Sequence, residues 1–219
     1  MTANLAKDLS DYRREYAQTG LSRADLAANP LQQFAAWFAQ AEQAQVLDPT
    51  AMVLTTVSAQ HQPSARIVLL KQWDKQGFVF FSHYHSQKGL EIAENPAVTL
   101  LFPWLVLERQ IEIRGVTEKI DKKASTAYFQ SRPRESQLSA WASAQSHVIE
   151  SRASLAARVE HYREEFAAQT TIPCPEHWGG YRVIPDRMEF WQGRIGRLHD
   201  RFEYQRQADQ MWSIQRLAP

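Results

Sequence analysis

Hydrophobic positions follow a helical period in some parts of the chain and a strand-like pattern in others. Asn29 and Pro30 provide an N-cap and a first-turn proline, and apolar residues from Leu31 to Ala41 recur at helical spacing. Segments rich in β-branched and aromatic residues predict strands. The predicted strands are residues 51–57, 65–73, 78–83, 98–104 and 109–120, followed after a Gly-Gly pair by 181–184, 187–192, 202–206 and 211–217.

The remaining periodic segments predict helices, and the short connections predict hairpins. Besides the helix after Asn29, the predicted helices are residues 5–18, 86–95, 122–130, 137–143 and 151–168. Connections as short as 62–63 and 74–77 favour antiparallel neighbours over parallel strands joined by helices. The pattern predicts a helical arm over residues 1–20 and a single α+β domain over residues 21–219. That domain is expected to be a mainly antiparallel, closed or partly closed barrel with flanking helices.

Composition narrows the class of protein. The chain has 219 residues, 44% of them hydrophobic, which is enough for one domain with a sizeable core. Lys and Arg total 25 against 24 Asp and Glu, so the charge balance indicates neither a nucleic-acid-binding nor a membrane-surface protein. The single cysteine, Cys174, excludes an intramolecular disulfide. No apolar signal segment follows Met1 and no membrane span is predicted, so the expected compartment is the cytoplasm.

The densest group of chemically active side chains lies near the C-terminus. Arg197, His199 and Arg201 alternate with other residues, so an extended chain would place all three on one face. A row of cationic or proton-carrying groups suits an anionic, planar ligand. The alternative is a charged edge strand whose side chains only discourage aggregation.

A second candidate site is predicted around Pro133. Tyr128, Arg132 and Ser136 recur at four-residue spacing, but the proline disfavours helical geometry at Arg132. The three side chains are therefore expected at a corner between a helix and a loop. There they could bind a phosphate monoester, although stretches of this kind are often only polar loops.

Other motifs are weaker. Arg66 and Lys71 lie five positions apart, so a regular strand would place them on opposite faces of the sheet. Lys88 follows Ser86 at a predicted helix start, where a phosphate could bind, or where the serine acts only as an N-cap. The sequence contains no GxGxxG, P-loop or HExxH motif, and no metal site is predicted.

Taken together, these motifs resemble those of the pyridoxine (pyridoxamine) 5′-phosphate oxidase family. The matching segments occur in order between about residue 13 and residue 219. They are Arg66–Lys71, Ser86–Lys88, Leu101–Trp104 with Glu108–Gln110, Ser131–Gln137, Trp178–Gly180, and Phe190–Gly193 with Arg197–Phe202. The resemblance implies a split β-barrel and a homodimer with FMN at the subunit interface. It also implies oxidation of pyridoxine or pyridoxamine 5′-phosphate to pyridoxal 5′-phosphate, with O2 as the acceptor and H2O2 as a product.

The resemblance also implies roles for individual residues. The residues implied to hold FMN are Arg66, Ile67, Lys71, Phe81, Ser82, Lys88, Gln110, Gln145, Ser146, Trp191 and Arg201. The residues implied to bind substrate are Lys71, Tyr128, Arg132, Ser136, Arg197 and His199, the last two at the reacting centre. Residues 13–16 match a segment that can close over the site in relatives.

The chain departs from the family at Gln87, where relatives commonly have an arginine that contacts the FMN phosphate. Glutamine can still donate a hydrogen bond there but carries no charge. Two alternatives to the implied activity remain. One is a split-barrel flavin reductase or oxidase acting on another substrate. The other is a non-catalytic protein that binds a flavin or pyridoxal phosphate.

Overall fold

The computed structural model of the protein describes residues 9, 11, 15 and 16 and the continuous stretch 20–219. The predicted helix over residues 5–18 lies outside this stretch, and the arm over residues 1–20 stays a prediction. The helices are α1 (Pro30–Gln43), α2 (Gln87–Glu94), α3 (Lys122–Ser131), α4 (Arg134–Ala142) and α5 (Arg152–Glu165). Asn29 caps α1 by accepting a hydrogen bond from the Leu31 amide, as its sequence predicts.

The strands form one antiparallel sheet. They are β1 (Ala51–Val57), β2 (Pro63–Leu69), β3 (Gln72–Asp74), β4 (Gly77–His83), β5 (Ala97–Trp104), β6 (Arg109–Lys119), β7 (Trp178–Gln192), β8 (Asp200–Arg206) and β9 (Trp212–Leu217). Their order is β2-β1-β5-β6-β7-β4-β3, and β8 pairs with β7 and β9. The predicted α+β, mainly antiparallel architecture is confirmed.

Strand β7 joins the two parts of the sheet. Its first residues pair with β4, its last residues pair with β8, and β6 pairs along most of its length. The prediction of separate strands over 181–184 and 187–192 is wrong, because Asp186 is accommodated as one extra residue in a bulge opposite Arg114 and Gly115. A Cβ on Gly115 would lie 2.1 Å from the Ile184 carbonyl oxygen, so glycine is required opposite this bulge.

β2 and β3 are the outermost strands in this order, and the chain between them connects the two edges of the sheet. The Leu70 amide donates to the Thr50 carbonyl beside β1, and the Lys71 amide donates to the Val79 carbonyl on β4. The strand predicted over residues 65–73 is therefore two strands, because the chain leaves one partner and joins another at these residues. This passage curls the sheet into a barrel.

Aromatic side chains of α1 fill the core of this barrel. Phe34 is fully buried, and its ring lies 4.9 Å from that of Phe78 and 5.2 Å from that of Phe102. Trp37 packs edge-on against Phe190 of β7 at 5.2 Å. Burying side chains of this size contributes about 1.5–3 kcal/mol each. A smaller cluster, centred on Phe129 and Trp178, packs α3, α4 and α5 against the start of β7. The two clusters fix the elements that surround the site.

Candidate active site

A cavity of about 850 Å³ opens between β2, β4, the start of α2 and the α3–α4 corner. Eleven of the residues predicted to bind FMN or substrate line it, and we call them the cavity group. They are Arg66, Ile67, Lys71, Phe81, Ser82, Lys88, Tyr128, Arg132, Ser136, Gln145 and Ser146. Its lining includes Arg and Lys but no Asp or Glu among the described residues, so the cavity is suited to anionic ligands.

Lys88 anchors one part of the cavity wall. Ser86 caps α2 and, with Gln145, accepts hydrogen bonds from the Lys88 ammonium at 3.3 and 2.9 Å. Ser82 lies 3.5 Å from the same Gln145 oxygen. Burial and the nearby Arg66 lower the pKa of Lys88, and the Glu91 carboxylate opposes this shift. A buried ammonium beside hydroxyl and amide groups can form strong, charge-assisted hydrogen bonds with a phosphate.

The α3–α4 corner forms another part of the wall. Helix α3 ends at Ser131, Arg132 is extended, and α4 begins at Arg134, so the corner predicted from Pro133 is confirmed. The Arg132 guanidinium lies 4.7 Å from the Trp178 ring, and burial lowers its pKa. Its Nη1 is buried and has no hydrogen-bond partner among the described residues. A buried donor without a partner is costly, and because Arg132 lines the cavity, a small shift of its guanidinium toward an anionic ligand would relieve this cost.

The aromatic floor of the cavity supports this corner. Tyr128 stacks on Phe81 with ring centroids 3.8 Å apart, and the nearly parallel Trp178 ring lies beside this pair, 5.4 Å from Phe81 and 6.2 Å from Tyr128. Burial raises the pKa of the Tyr128 phenol, so the hydroxyl remains protonated at neutral pH and can donate a hydrogen bond. A planar, partly apolar surface beside cations suits an aromatic anion.

Arg66 and Lys71 both line the cavity. The expectation that they face opposite sides of the sheet assumed a regular strand through both residues, and this condition is not met. Strand β2 ends at Leu69, and the chain turns at Leu70 before joining β4, so the alternation of a regular strand does not extend to Lys71.

Five predicted residues form a separate set, which we call the β6–β8 group. They are Gln110, Trp191, Arg197, His199 and Arg201, and none of them is among the residues lining the cavity. Gln110 pairs with Trp191 across β6 and β7, and Trp191 pairs with Arg201 across β7 and β8. The His199 ring lies 4.6 Å from the Trp191 ring.

The prediction of one extended row over Arg197, His199 and Arg201 is wrong. Residues Ile195–Arg197 form a single 3₁₀ turn, and Gly196 and Arg197 have φ values of 66° and 62°. Strand β8 begins only at Asp200. The left-handed backbone, which glycine tolerates, turns the chain before the strand can form.

Other residues hold parts of this group in place. Both carboxylate oxygens of Glu189 accept hydrogen bonds from Arg201, at 2.7 and 3.0 Å. The Arg194 amide donates to Nδ1 of His199 at 3.1 Å. Tyr16 packs edge-on against Trp191 at 5.7 Å and against His199 at 5.4 Å. Of the segment 13–16 expected to close over the site, Arg13 and Arg14 lie outside the described residues.

Gln87 also lies outside the cavity lining. Its side-chain amide donates to Glu91 at 2.9 Å and to Ser64 at 3.2 Å. Sequence patterns indicate no individual role for Glu91 or Trp178. Trp178 directly precedes the Gly-Gly pair and was noted there only as part of a motif, whereas only the fold brings Glu91 of α2 next to β1 and β2.

His83 borders both this cavity and a neighbouring one of about 560 Å³ that is also lined by His85, His147, His161 and His177. Burial, and then the nearby His177, lower the pKa of His83 to about 4. Within residues 20–219, no group of three or more His, Cys, Asp or Glu is arranged to hold a metal ion. No helix of that stretch is long and apolar enough to cross a membrane.

Comparison with protein families gives two matches that together cover most of the chain. Residues 38–166 match a model described as pyridoxamine 5′-phosphate oxidase. Residues 178–219 match one described as the pyridoxine 5′-phosphate oxidase C-terminal dimerisation region. The second match contains Trp191, Arg197, His199 and Arg201 of the β6–β8 group.

Individual relatives agree with these matches. The pyridoxine/pyridoxamine 5′-phosphate oxidase of Rippkaea orientalis is 54% identical over 212 residues, which are 97% of this chain and 100% of the relative. A relative of the same name, numbered 1, from Ralstonia nicotianae is 54% identical over 96% of this chain and 99% of its own. Among solved structures, PhzG of Burkholderia lata, in complex with tetrahydrophenazine-1-carboxylic acid, matches with a TM-score of 0.86. It is 28% identical, and the match covers 94% of this chain and 100% of that one.

An FMN-binding protein of Nostoc punctiforme, related to pyridoxamine 5′-phosphate oxidase, shares the fold with a TM-score of 0.67. It is 14% identical, over 87% of this chain and 98% of its own. The predicted split barrel is confirmed by these likenesses. The family matches and the identity of more than half over nearly the whole length lead to one conclusion. The chain is an enzyme of the pyridoxine/pyridoxamine 5′-phosphate oxidase family.

Proposed function

We propose that the protein oxidises pyridoxine 5′-phosphate or pyridoxamine 5′-phosphate to pyridoxal 5′-phosphate, using FMN and O2 and producing H2O2. The observation that carries the proposal is Arg132, which lines a cavity together with Arg66, Lys71 and Lys88 and whose buried Nη1 has no partner among the described residues. A phosphorylated substrate would supply the missing acceptor. Tyr128 and Ser136 line the same cavity and would add hydroxyl donors.

The lining of the cavity fits FMN as well. Arg66 and the buried Lys88, with Ser82 and Gln145 beside them, form a polar and cationic patch for one terminal phosphate. When bound, FMN would supply the two-electron acceptor for the substrate and pass the electrons to O2. The residues of this chain would bind both phosphates, orient the substrate and exclude water from the reacting atoms.

The β6–β8 group would complete the site from the second subunit of a homodimer. The family model that covers four of its residues describes a dimerisation region. Ile195 and Leu198, which flank Arg197, are each 72% exposed, and Leu105 and Val106 are 67% and 65% exposed. Exposed apolar side chains on these two segments favour burial against another chain.

Within the β6–β8 group, His199 is expected to donate a hydrogen bond to the substrate through Nε2. Its Nδ1 accepts the hydrogen bond from the Arg194 amide, so the proton of the neutral ring is carried by Nε2. The Arg197 guanidinium would orient the reacting centre of the substrate by its charge. Both roles require that the partner subunit bring these residues to the cavity.

An anaerobic titration tests the proposal. The purified protein is expected to be a yellow dimer that releases FMN, and not FAD, on denaturation. Adding pyridoxine 5′-phosphate without O2 should bleach the flavin absorbance, and admitting O2 should restore it with formation of H2O2. A flavin that stays oxidised with both phosphorylated vitamers, or a fully active monomer, would contradict the proposal.

The same titration distinguishes the main alternative, an oxidase of another substrate. PhzG is a structural relative whose known complex contains a tricyclic carboxylic acid. If such acids bleached the flavin and the phosphorylated vitamers did not, the cavity would serve a different reaction. The four cations that line the cavity favour a doubly charged phosphate over a singly charged carboxylate. They are Arg66, Lys71, Lys88 and Arg132.

A further inference from the structure

Glu91 is a buried carboxylate beside the cavity with four hydrogen-bond donors around it. It lies on α2, one turn after Lys88, and is 6% exposed. Thr56 and Arg66 donate to its Oε2, and Ser64 and Gln87 donate to its Oε1. Burial alone would raise the pKa of Glu91. The hydrogen bonds, led by that from Thr56, lower the pKa by more than burial raises it, so the pKa lies below its usual range. The carboxylate is therefore ionised at neutral pH.

Arg66 is held against the cavity wall by this carboxylate. Its Nη2 lies 3.2 Å from Glu91, and its Nη1 donates to Thr56 and, at 3.3 Å, to the Leu54 carbonyl. Thr56 accepts from Arg66 and donates to Glu91, so it links the two charged groups. A guanidinium with both ends fixed loses less rotamer freedom when it binds an anion.

Gln87 is drawn to the same carboxylate. Its Nε2 lies 2.9 Å from Glu91 Oε1, and reversing the amide would place two acceptor oxygens against each other. The i, i+4 spacing on α2 makes this contact local. The side chain at position 87 is therefore directed toward β2, away from the cavity lining.

We propose that Glu91 is a positioning residue of the flavin-phosphate site: it aligns Arg66 with the cavity and keeps the side chain at position 87 outside it. This inference rests on the proposed function, in which Arg66 and Lys88 bind the FMN phosphate. A cation introduced at position 87 would pair with Glu91 at i, i+4 spacing and would not reach the phosphate. Only when position 91 is uncharged does a guanidinium at position 87 become available to FMN.

A double-mutant cycle on the full-length apoprotein tests the coupling of these two positions. FMN dissociation constants are measured by quenching of flavin fluorescence for wild type, Gln87→Arg, Glu91→Gln and the double variant. Gln87→Arg is expected to change FMN affinity less than about twofold when Glu91 is present and to tighten it about tenfold when position 91 is glutamine. Equal effects in the two backgrounds would overturn the proposal.

A second cycle tests the alignment of Arg66. Arg66→Met should weaken FMN binding about tenfold in the wild-type background and less than about threefold in the Glu91→Gln background, because an unaligned guanidinium contributes less. A loss in the second background that is as large as in the first would remove Glu91 as the residue that aligns Arg66.

Riboflavin, which lacks the phosphate, is the matched control ligand. Its affinity should be the same in all variants, whereas a general defect in folding would weaken riboflavin and FMN together. The two ideas fail differently. If wild type binds riboflavin as tightly as FMN, the proposed phosphate site is wrong. If wild type prefers FMN but both cycles are additive, only the role of Glu91 is wrong.

Discussion

The cavity group and the β6–β8 group differ in how one chain holds them. In the cavity group, the buried Lys88 ammonium donates hydrogen bonds to Ser86 and Gln145. Arg132 lies at the corner between α3 and α4, with its guanidinium 4.7 Å from the Trp178 ring. Arg197 of the β6–β8 group is exposed on a single 3₁₀ turn, with exposed Ile195 and Leu198 beside it. In the proposed function, one chain preforms the anion-binding surface, whereas Arg197 would take part in the reaction only after assembly of the homodimer.

This division has a physical reason. Cations that bind a phosphate must be fixed in advance, because ordering long side chains during binding costs affinity. A group that only assists the reacting centre can be supplied by a second subunit, provided that assembly precedes catalysis. We therefore expect changes in the two groups to have different kinetic signatures.

The largest effect is expected from Arg132→Ala. Removing the guanidinium should raise the Michaelis constant for pyridoxine 5′-phosphate about 100-fold, the size of a lost charge-assisted contact to phosphate, with little change in kcat. Steady-state kinetics with saturating FMN measure both constants. Arg152→Ala, an exposed arginine at the start of α5, is the matched control and should behave as wild type. An unchanged Michaelis constant would remove Arg132 from the substrate site.

A smaller effect of a different kind is expected from Arg197→Met. The methionine keeps the length of the side chain but not its charge, so the rate of anaerobic flavin reduction should fall at least about tenfold. The flavin spectrum and the dimer should be retained. Arg197→Lys, which keeps a charge, should lose less. Reduction at the wild-type rate with FMN fully bound would show that Arg197 takes no part in the reaction.

Mixed dimers test whether the two groups of one site come from different subunits. Differently tagged Arg132→Ala and Arg197→Met chains are co-expressed and the heterodimers are isolated. If each site combines both chains, one of the two sites in every heterodimer is intact, and the activity should be about half that of wild type. If both groups act within one chain, no site is intact and the heterodimer is as impaired as its parents.

Local patterns were sufficient to predict much of the fold. Asn29 and Pro30 predicted the start of α1, and the alternating and aromatic segments predicted most strands, because caps and periodicity are local. The errors occur where tertiary contacts override the local pattern. Leu70 marks a change of strand partner, and Asp186 forms a bulge that keeps β7 continuous. Gly115 and Pro185 were the available signals of the bulge, whereas the change of partner at Leu70 has no local signal.

The candidate site shows the same limit. Pro133 correctly predicted the corner that brings Tyr128 and Arg132 to one cavity. The extended row through Arg197 failed because Gly196 turns the backbone, and a glycine in a strand-like segment was the available warning. Glu91 could not be found, because its partners on β1 and β2 are 25 to 35 positions away in the sequence.

His83 lies in the wall of the cavity, among residues that one chain holds in place. It is 8% exposed, and its ring lies 4.3 Å from His177, with His85, His147 and Lys88 also near. These charges add to burial in opposing protonation of the ring. The β6–β8 group contains no comparably buried histidine, since His199 is only partly buried.

The last predicted effect, on stability and not on activity, is a pH dependence assigned to His83. In the unfolded chain a histidine binds its proton near pH 6.5, but in the folded protein the pKa of His83 is about 4. Between these pH values the unfolded state binds more protons at this residue. The contribution of His83 to the free energy of unfolding therefore falls as the pH is lowered from about 6.5 to about 4, with a slope no steeper than that for the uptake of one proton. Urea unfolding at a series of pH values measures this slope, which should become shallower in His83→Asn and remain unchanged in His61→Asn, a control on an exposed turn. Equal slopes in wild type and His83→Asn would show that His83 is solvated, and the cavity wall could then not be as closed to water as the buried ring indicates.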